Sequence, residues 1–312
     1  MDFLNLLSRM PAATAQGFLW GLMALGVYIS YKILDVADLS VDGTFALGGA
    51  VTVMAIIAGV PAWAALLLAI LAGIAAGLCT GLLHTKLGIP AILSGILTQF
   101  ALYSIDLRIM GMKANQTASL KNYGMFFENG RGFLVSSRYV NPAIAMGFAL
   151  SAAVVGVLYW YFGTEQGSAV RATGANPQMS SAQGININAM KVLGLALSNG
   201  IVALSGGLVT QFQGTADVNM GRGAIVIGLA AIVIGEVLCD ALFGEGCNFA
   251  IRLGFVVVGG VIYYMVMTVI LWLRLDPNDL KLFTALIVAG FLSVPQWKAR
   301  RANAFRKAGG KE

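Results

Sequence analysis

The chain has 312 residues, 58% of them hydrophobic and 11% charged, with 20 Lys and Arg against 14 Asp and Glu. That is more apolar surface than a soluble domain of this size can cover, so lipid rather than water is the expected solvent. One histidine, and three cysteines (Cys79, Cys239 and Cys247) at spacings that match no zinc or haem motif, argue against a metal centre; Cys239 and Cys247 can pair if their loop faces an oxidising space, and buried or reduced thiols are the expectation otherwise.

Residues 1–14 read as an interfacial segment, because the apolar run from Met1 to Met10 is too short for a signal peptide. A spanning helix needs roughly 20 mainly apolar residues. About nine crossings follow on that criterion: Ala15 to Leu34, Thr44 to Val60, Ala62 to Leu83, Pro90 to Ile105, Pro142 to Phe162, Val192 to Phe212, Gly223 to Leu242, Phe255 to Leu273 and Leu280 to Val294. The runs lack the polar alternation of a porin strand, so the expected fold is an all-α polytopic helix bundle with some segments broken or re-entrant. The transmembrane domain is expected to span residues 15–295, and residues 296–312 form a basic tail.

Lys298, Arg300, Arg301, Arg306, Lys307 and Lys311 in that tail set the C-terminus in the cytoplasm. Counting back puts the loop of residues 163–191 inside, and the loop of residues 110–139 and the N-terminus outside. The outer loop disagrees, since it carries Lys113, Lys121, Arg131 and Arg138. These four can pair with carboxylates on a docking protein, or simply be solvated beside lipid headgroups. An internal echo supports the count: Asp38, Leu39, Ser40 and Val41 resemble Asp217, Val218, Asn219 and Met220, and each set precedes a Gly-rich apolar run. One starts from the inside and the other from the outside, the pattern of an inverted repeat.

The inner loop is too patterned for a slack linker. A short helix through Arg171, a stop at Gly174, a turn at Asn176 and Pro177, and a second short helix to Gly184 predict a compact platform. Here the chain resembles the permeases of ABC importers of the branched-chain amino acid and ribose type. Three stretches extend the resemblance: Asp38 to Gly43, GLAAIVIGE at Gly228 to Glu236, and LDPNDLK at Leu275 to Lys281. It implies a coupling helix on this loop, with Arg171, Gly174, Asn176, Pro177 and Gly184 facing the ATP-binding subunit. It also implies a second permease copy, a cytoplasmic ATPase carrying ATP and Mg, an extracytoplasmic solute-binding protein and a bacterial inner-membrane location. No cofactor is expected on this chain, membrane lipid is its surroundings, and no nucleic acid partner is expected.

No GxxxxGK[ST] phosphate loop occurs, so hydrolysis of ATP is expected of a partner. The chain also offers no assembled nucleophile, base and oxyanion donors, so a transport subunit is expected rather than an enzyme. Asp38, Ser40, Asp42, Gln99, Tyr103 and Glu236 are the candidates for the translocation path, since polar groups in a bilayer are costly without a role. Asp42 is equally readable as a helix cap, and Glu236 as a structural bond between helices. Gln99 and Tyr103 lie one turn apart on one face, whereas Phe100 and Met110 read as packing. The ending LDPNDLK suggests an aromatic or branched-chain amino acid as the solute, ahead of sugars or nucleosides. A secondary transporter driven by an ion gradient is the alternative, disfavoured because no paired carboxylate site is evident.

Overall fold

The apolar runs fold as helices because a backbone in lipid has to satisfy its N–H and C=O groups within its own segment. The computed structural model describes residues 3–119, 123–125, 132–244 and 247–272, together with Leu282, Leu286, Ala289 and Gly290. Helix α1 (Phe3–Tyr28) runs into a π turn (Ile29–Ile33), followed by α2 (Val41–Ile57), α3 (Ala62–Thr85), α4 (Ala91–Ile109) and a short strand β1 (Asn115–Thr117). Then come α5 (Val140–Phe162), α6 (Glu165–Ala175), α7 (Pro177–Ala182), α8 (Ile187–Gln213), β2 (Thr215–Asp217), α9 (Ala224–Phe243) and α10 (Phe249–Trp272). The two strands pair antiparallel as a small ribbon.

Among the described residues, seven helices are long and apolar enough to cross a membrane, and α2 is a shorter apolar helix. The expected count of about nine crossings is thus not reached among the described residues. Thr44 to Val60 is the short α2, and Leu280 to Val294 lies almost wholly outside the described residues, as do LDPNDLK and the basic tail. Two boundaries also move. Phe3–Tyr28 is one helix with Pro11 inside it, so the expected division at residue 14 falls within a helix. Helix α4 continues past Ile105 to Ile109, which takes Asp106 into the helix. Cys239 and Cys247 form a disulfide rather than the expected free thiols, because the chain reverses after Phe243 and returns Cys247 beside the end of α9.

Helix α8 is the central post. Helix α3 runs antiparallel along it, with His84 Nε2 3.4 Å from Lys191 Nζ at one end and Gln211 Nε2 3.4 Å from the Ala62 carbonyl at the other. The approach is close because Gly73, Gly77 and Gly81 face α8. A Cβ on Gly77 would stand 2.7 Å from Ala196 Cα, and one on Gly81 2.9 Å from Val192 Cα. Small residues at i, i+4 and i+8 let two backbones touch where lipid supplies no hydrophobic drive. Helix α1 meets α10 in the same way, with Gly21 against Val257.

The bundle has two distinct ends. One carries the ribbon, and there the described residues between 110 and 139 pack onto the helices, with Met125 and Phe133 buried and Ser137 N–H donating to the Phe212 carbonyl at 2.9 Å. The other carries α6 and α7. Helix α1 descends to that end, and the chain after Ile33 then turns back to the middle of α8, where Asp38 and Ser40 meet Asn199. From there α2 rises toward the ribbon, with Thr52 against Gly207. Segment 218–223 does the reverse: it drops from the ribbon to Asp42, and α9 continues to the opposite end, where Glu236 meets Lys32.

Candidate functional site

Two broken segments meet inside the bundle, and both begin with the same turn. Ser40 N–H donates to Asp38 Oδ1 at 2.9 Å, and Asn219 N–H donates to Asp217 Oδ1 at 2.7 Å. An Asp side chain bonding the backbone two residues on is the local device that breaks each segment before its helix starts. The sequence echo at residues 38–41 and 217–220 thus has a shared geometry, with α2 and α9 leaving in opposite directions.

Asp38 is 2% exposed and Ser40 fully buried. Asn199 Nδ2 donates to Asp38 Oδ2 at 2.7 Å, and the Ser40 hydroxyl donates to Asp38 Oδ1 at 2.6 Å. Every part of this carboxylate is engaged, as a buried charge requires. Asp38 and Ser40, expected on the path, instead tie the broken segment to α8. Glu236 is also engaged: its carboxylate is 3.1 Å from Lys32 Nζ at the platform end, with the Glu236 side chain mostly buried and the lysine half in solvent.

Asp42 caps a helix, but not its own. Its Oδ2 accepts the N–H of Gly223 at 2.9 Å and its Oδ1 that of Ile225 at 3.0 Å, so the first turn of α2 neutralises the start of α9. Gly221 makes this possible, since a Cβ there would run into the Asp42 carbonyl.

Beside that junction lies a cavity of about 350 Å³ lined by Asp42, Gln99, Phe100, Tyr103, Asp106 and Arg222, with Gly43 and Val218. Gln99, Tyr103 and Asp106 follow at i, i+4 and i+7, which is one face of α4. Gly43 lets α2 approach, since a Cβ there would be 3.1 Å from Gln99 Cα. Three sequence candidates, Asp42, Gln99 and Tyr103, therefore converge here. Phe100, read as packing, borders the cavity and is 72% exposed in this single chain, and Met110 is fully buried packing as expected. Two cavity residues escaped the sequence reading. Asp106 stands one residue beyond the expected helix end at Ile105, and Arg222 one residue before the expected crossing that starts at Gly223. Asp106 is 1% exposed, and neither of its carboxylate oxygens has a hydrogen-bond partner among the described residues.

The platform is built as two short helices, each with a cap. Thr164 Oγ1 accepts the Gly167 N–H at 3.3 Å to start α6, Asn176 Oδ1 accepts the Met179 N–H at 3.0 Å to start α7, and Asn186 Oδ1 accepts the Ala189 N–H at 3.1 Å to start α8. Pro177 takes the first turn of α7, where its missing N–H has no partner to lose. Gly174 is corrected from a helix stop to a packing residue. It lies within α6, and a Cβ there would collide with the Ile33 carbonyl oxygen, so α6 sits directly on the end of α1. Gly184 has φ +83°, a left-handed turn leading into α8. Arg171 is exposed, with its guanidinium 5.2 Å above the Phe249 ring of α10. The four basic residues expected to meet a docking protein divide: Lys113 and Arg138 are exposed at the ribbon end, and Lys121 and Arg131 lie outside the described residues.

Residues 10–293 match the family described as branched-chain amino acid transport system / permease component. The chain is 38% identical over 288 residues to a tyrosine transport system permease protein of Clostridioides difficile (strain R20291), covering 92% of this chain and 91% of the relative. It is 33% identical over 181 residues to the uncharacterized protein RP368 of Rickettsia prowazekii (strain Madrid E), covering 58% of this chain and 60% of that one. No solved structure matches.

Proposed function

This chain belongs to the branched-chain amino acid transport permease family, and on that premise we propose that it is the membrane subunit of an ATP-driven importer for an aromatic amino acid. Tyrosine is the favoured solute, because the relative that aligns over nearly the whole chain is a tyrosine transport permease. A solute-binding protein delivers the solute at the ribbon end, and a cytoplasmic ATPase docks on α6 and α7. The basic tail supports a cytoplasmic C-terminus in the inner membrane, and two permease copies frame the path.

The observation that carries this reading is the seat of α6 on α1. Gly174 brings the platform into backbone contact with Ile33, and beyond Ile33 the chain turns into the Asp38 segment and α2. A push on the platform is therefore delivered to the broken helices that border the cavity. Two discrete packings of such elements are how a binding event is transmitted through a stiff interior.

Proteoliposomes holding the permease, its ATPase and its binding protein should take up labelled tyrosine only when ATP is present. Gradient-driven uptake by the permease alone would instead establish a secondary transporter. Retention of a sugar or nucleoside by the binding protein, in place of an amino acid, would move the chain to the sugar or nucleoside branch.

A further inference from the structure

The cavity between α2, α4 and the 218–223 turn holds two acidic residues and one basic residue, and their states differ. Asp42 is consumed, because both of its oxygens accept backbone N–H groups at the start of α9. Asp106 is not: it is 1% exposed, lines the cavity, and its carboxylate lacks any hydrogen-bond partner among the described residues. Arg222 lines the same cavity, and no carboxylate among the described residues pairs with it. A buried carboxylate without a partner destabilises the fold, so its presence calls for a group that arrives from outside.

We propose that this cavity is a transient station for a zwitterionic aromatic amino acid, with Asp106 receiving the α-ammonium and Arg222 the α-carboxylate. The inference rests on the reading of the chain as an amino acid importer and adds the residues that recognise the solute. A buried carboxyl without a partner and a guanidinium without a paired carboxylate, both lining one cavity, suit a ligand that carries an ammonium and a carboxylate together. A dicarboxylate or a diamine would leave one of the two unmatched, and a sugar would leave both. Arginine suits the carboxylate because its planar fork bonds both oxygens at once. Phe100 and Tyr103, one and four positions after Gln99 on α4, offer ring faces to an aromatic side chain. The volume of about 350 Å³ is at the small end of the range for ligand sites, as a single amino acid needs. A solvated Arg222 on the other side keeps the site open enough to release its occupant.

The test is competition against labelled tyrosine on the purified full-length permease in detergent. Two analogues dissect the charges: tyramine lacks the carboxylate, and 3-(4-hydroxyphenyl)propanoate lacks the ammonium. Each should compete about tenfold or more worse than tyrosine on the native protein, the scale of one lost charged hydrogen bond. Asp106→Asn should abolish the preference over 3-(4-hydroxyphenyl)propanoate and keep that over tyramine. Arg222→Gln should do the converse, and Asp106→Glu should keep both preferences. Any other pattern of preferences overturns the proposal, as does the absence of saturable tyrosine binding up to about 10 mM. ATP-dependent uptake by the native complex is read separately: uptake without these preferences ends the station alone, whereas failure of uptake ends the importer reading.

Discussion

Asp42 and Gly223 stand 181 residues apart, yet the carboxylate of the first accepts the backbone N–H of the second at 2.9 Å. This one bond joins the first broken segment of the bundle to the second and sets where α9 begins. It also engages the Asp42 carboxylate, leaving Asp106 as the acidic residue of the cavity without a hydrogen-bond partner among the described residues.

Asp42→Ala should therefore destabilise the permease by about 1–2 kcal/mol, the worth of a lost helix cap. Asp42→Asn should retain most of that, since its carbonyl oxygen still accepts. Thermal unfolding in detergent measures both, and equal midpoints for Ala and native protein would refute the capping role.

Asn199→Leu should be more damaging. It withdraws the donor 2.7 Å from Asp38 Oδ2 and leaves a fully buried carboxylate short of a partner, at a cost of about 1.5–3 kcal/mol. Asn199→Asp should be worse still, because a second carboxylate would face the first. Adding Asp38→Asn to Asn199→Asp exchanges the partners and should recover part of the loss, which a double-mutant comparison of unfolding midpoints reads directly.

Gly174→Val and Gly184→Ala separate two uses of glycine on one platform. The valine would collide with the Ile33 carbonyl, so the permease should still insert in membrane but lose coupling, read as stoichiometric ATPase binding with little uptake. The alanine meets nothing within 4 Å and suffers only the strain of φ +83°, about 1 kcal/mol, so transport should persist. A fully active Gly174→Val would remove the mechanical link argued for α6.

Arg171→Glu should leave the subunit folded but weaken its grip on the ATPase. The substitution reverses the charge on the exposed face of α6 and loses the stacking over Phe249. Pull-down of the ATPase from membranes, compared with Arg171→Lys, checks it; normal capture and normal uptake would withdraw Arg171 from the docking surface.

Lys32→Ala is the contrasting case. The ion pair with Glu236 has side chains 46% and 21% exposed, so its loss should cost about 0–1 kcal/mol and shrink further as salt is added. A larger loss would mean that Glu236 is held by more than a surface pair.

The platform was legible before the fold because its signals are local. Asn176 before Pro177 is a turn signal written within two residues, and the second short helix starts where it falls. The echo at Asp38 and Asp217 was legible for the same reason: an Asp side chain bonding two residues ahead needs nothing distant. Gly174 misled because a glycine near a helix end and a glycine under a crossing backbone look identical in sequence. Asp106 was overlooked because hydropathy places a helix end at the last apolar residue, whereas α4 runs one turn further and buries the carboxylate.

By itself the sequence determined the solvent of this protein, the helical class and the position of its two-helix platform along the chain, because apolar content, run length and caps act within a turn or two of chain. Tertiary structure alone decided which carboxylates are engaged. Asp38 is bound by Asn199, Asp42 by the start of α9, and Asp106 by none of the described residues. A carboxylate's charge is the same in every sequence context, but its partners come from segments far along the chain, brought close only by glycine-lined packing of whole helices.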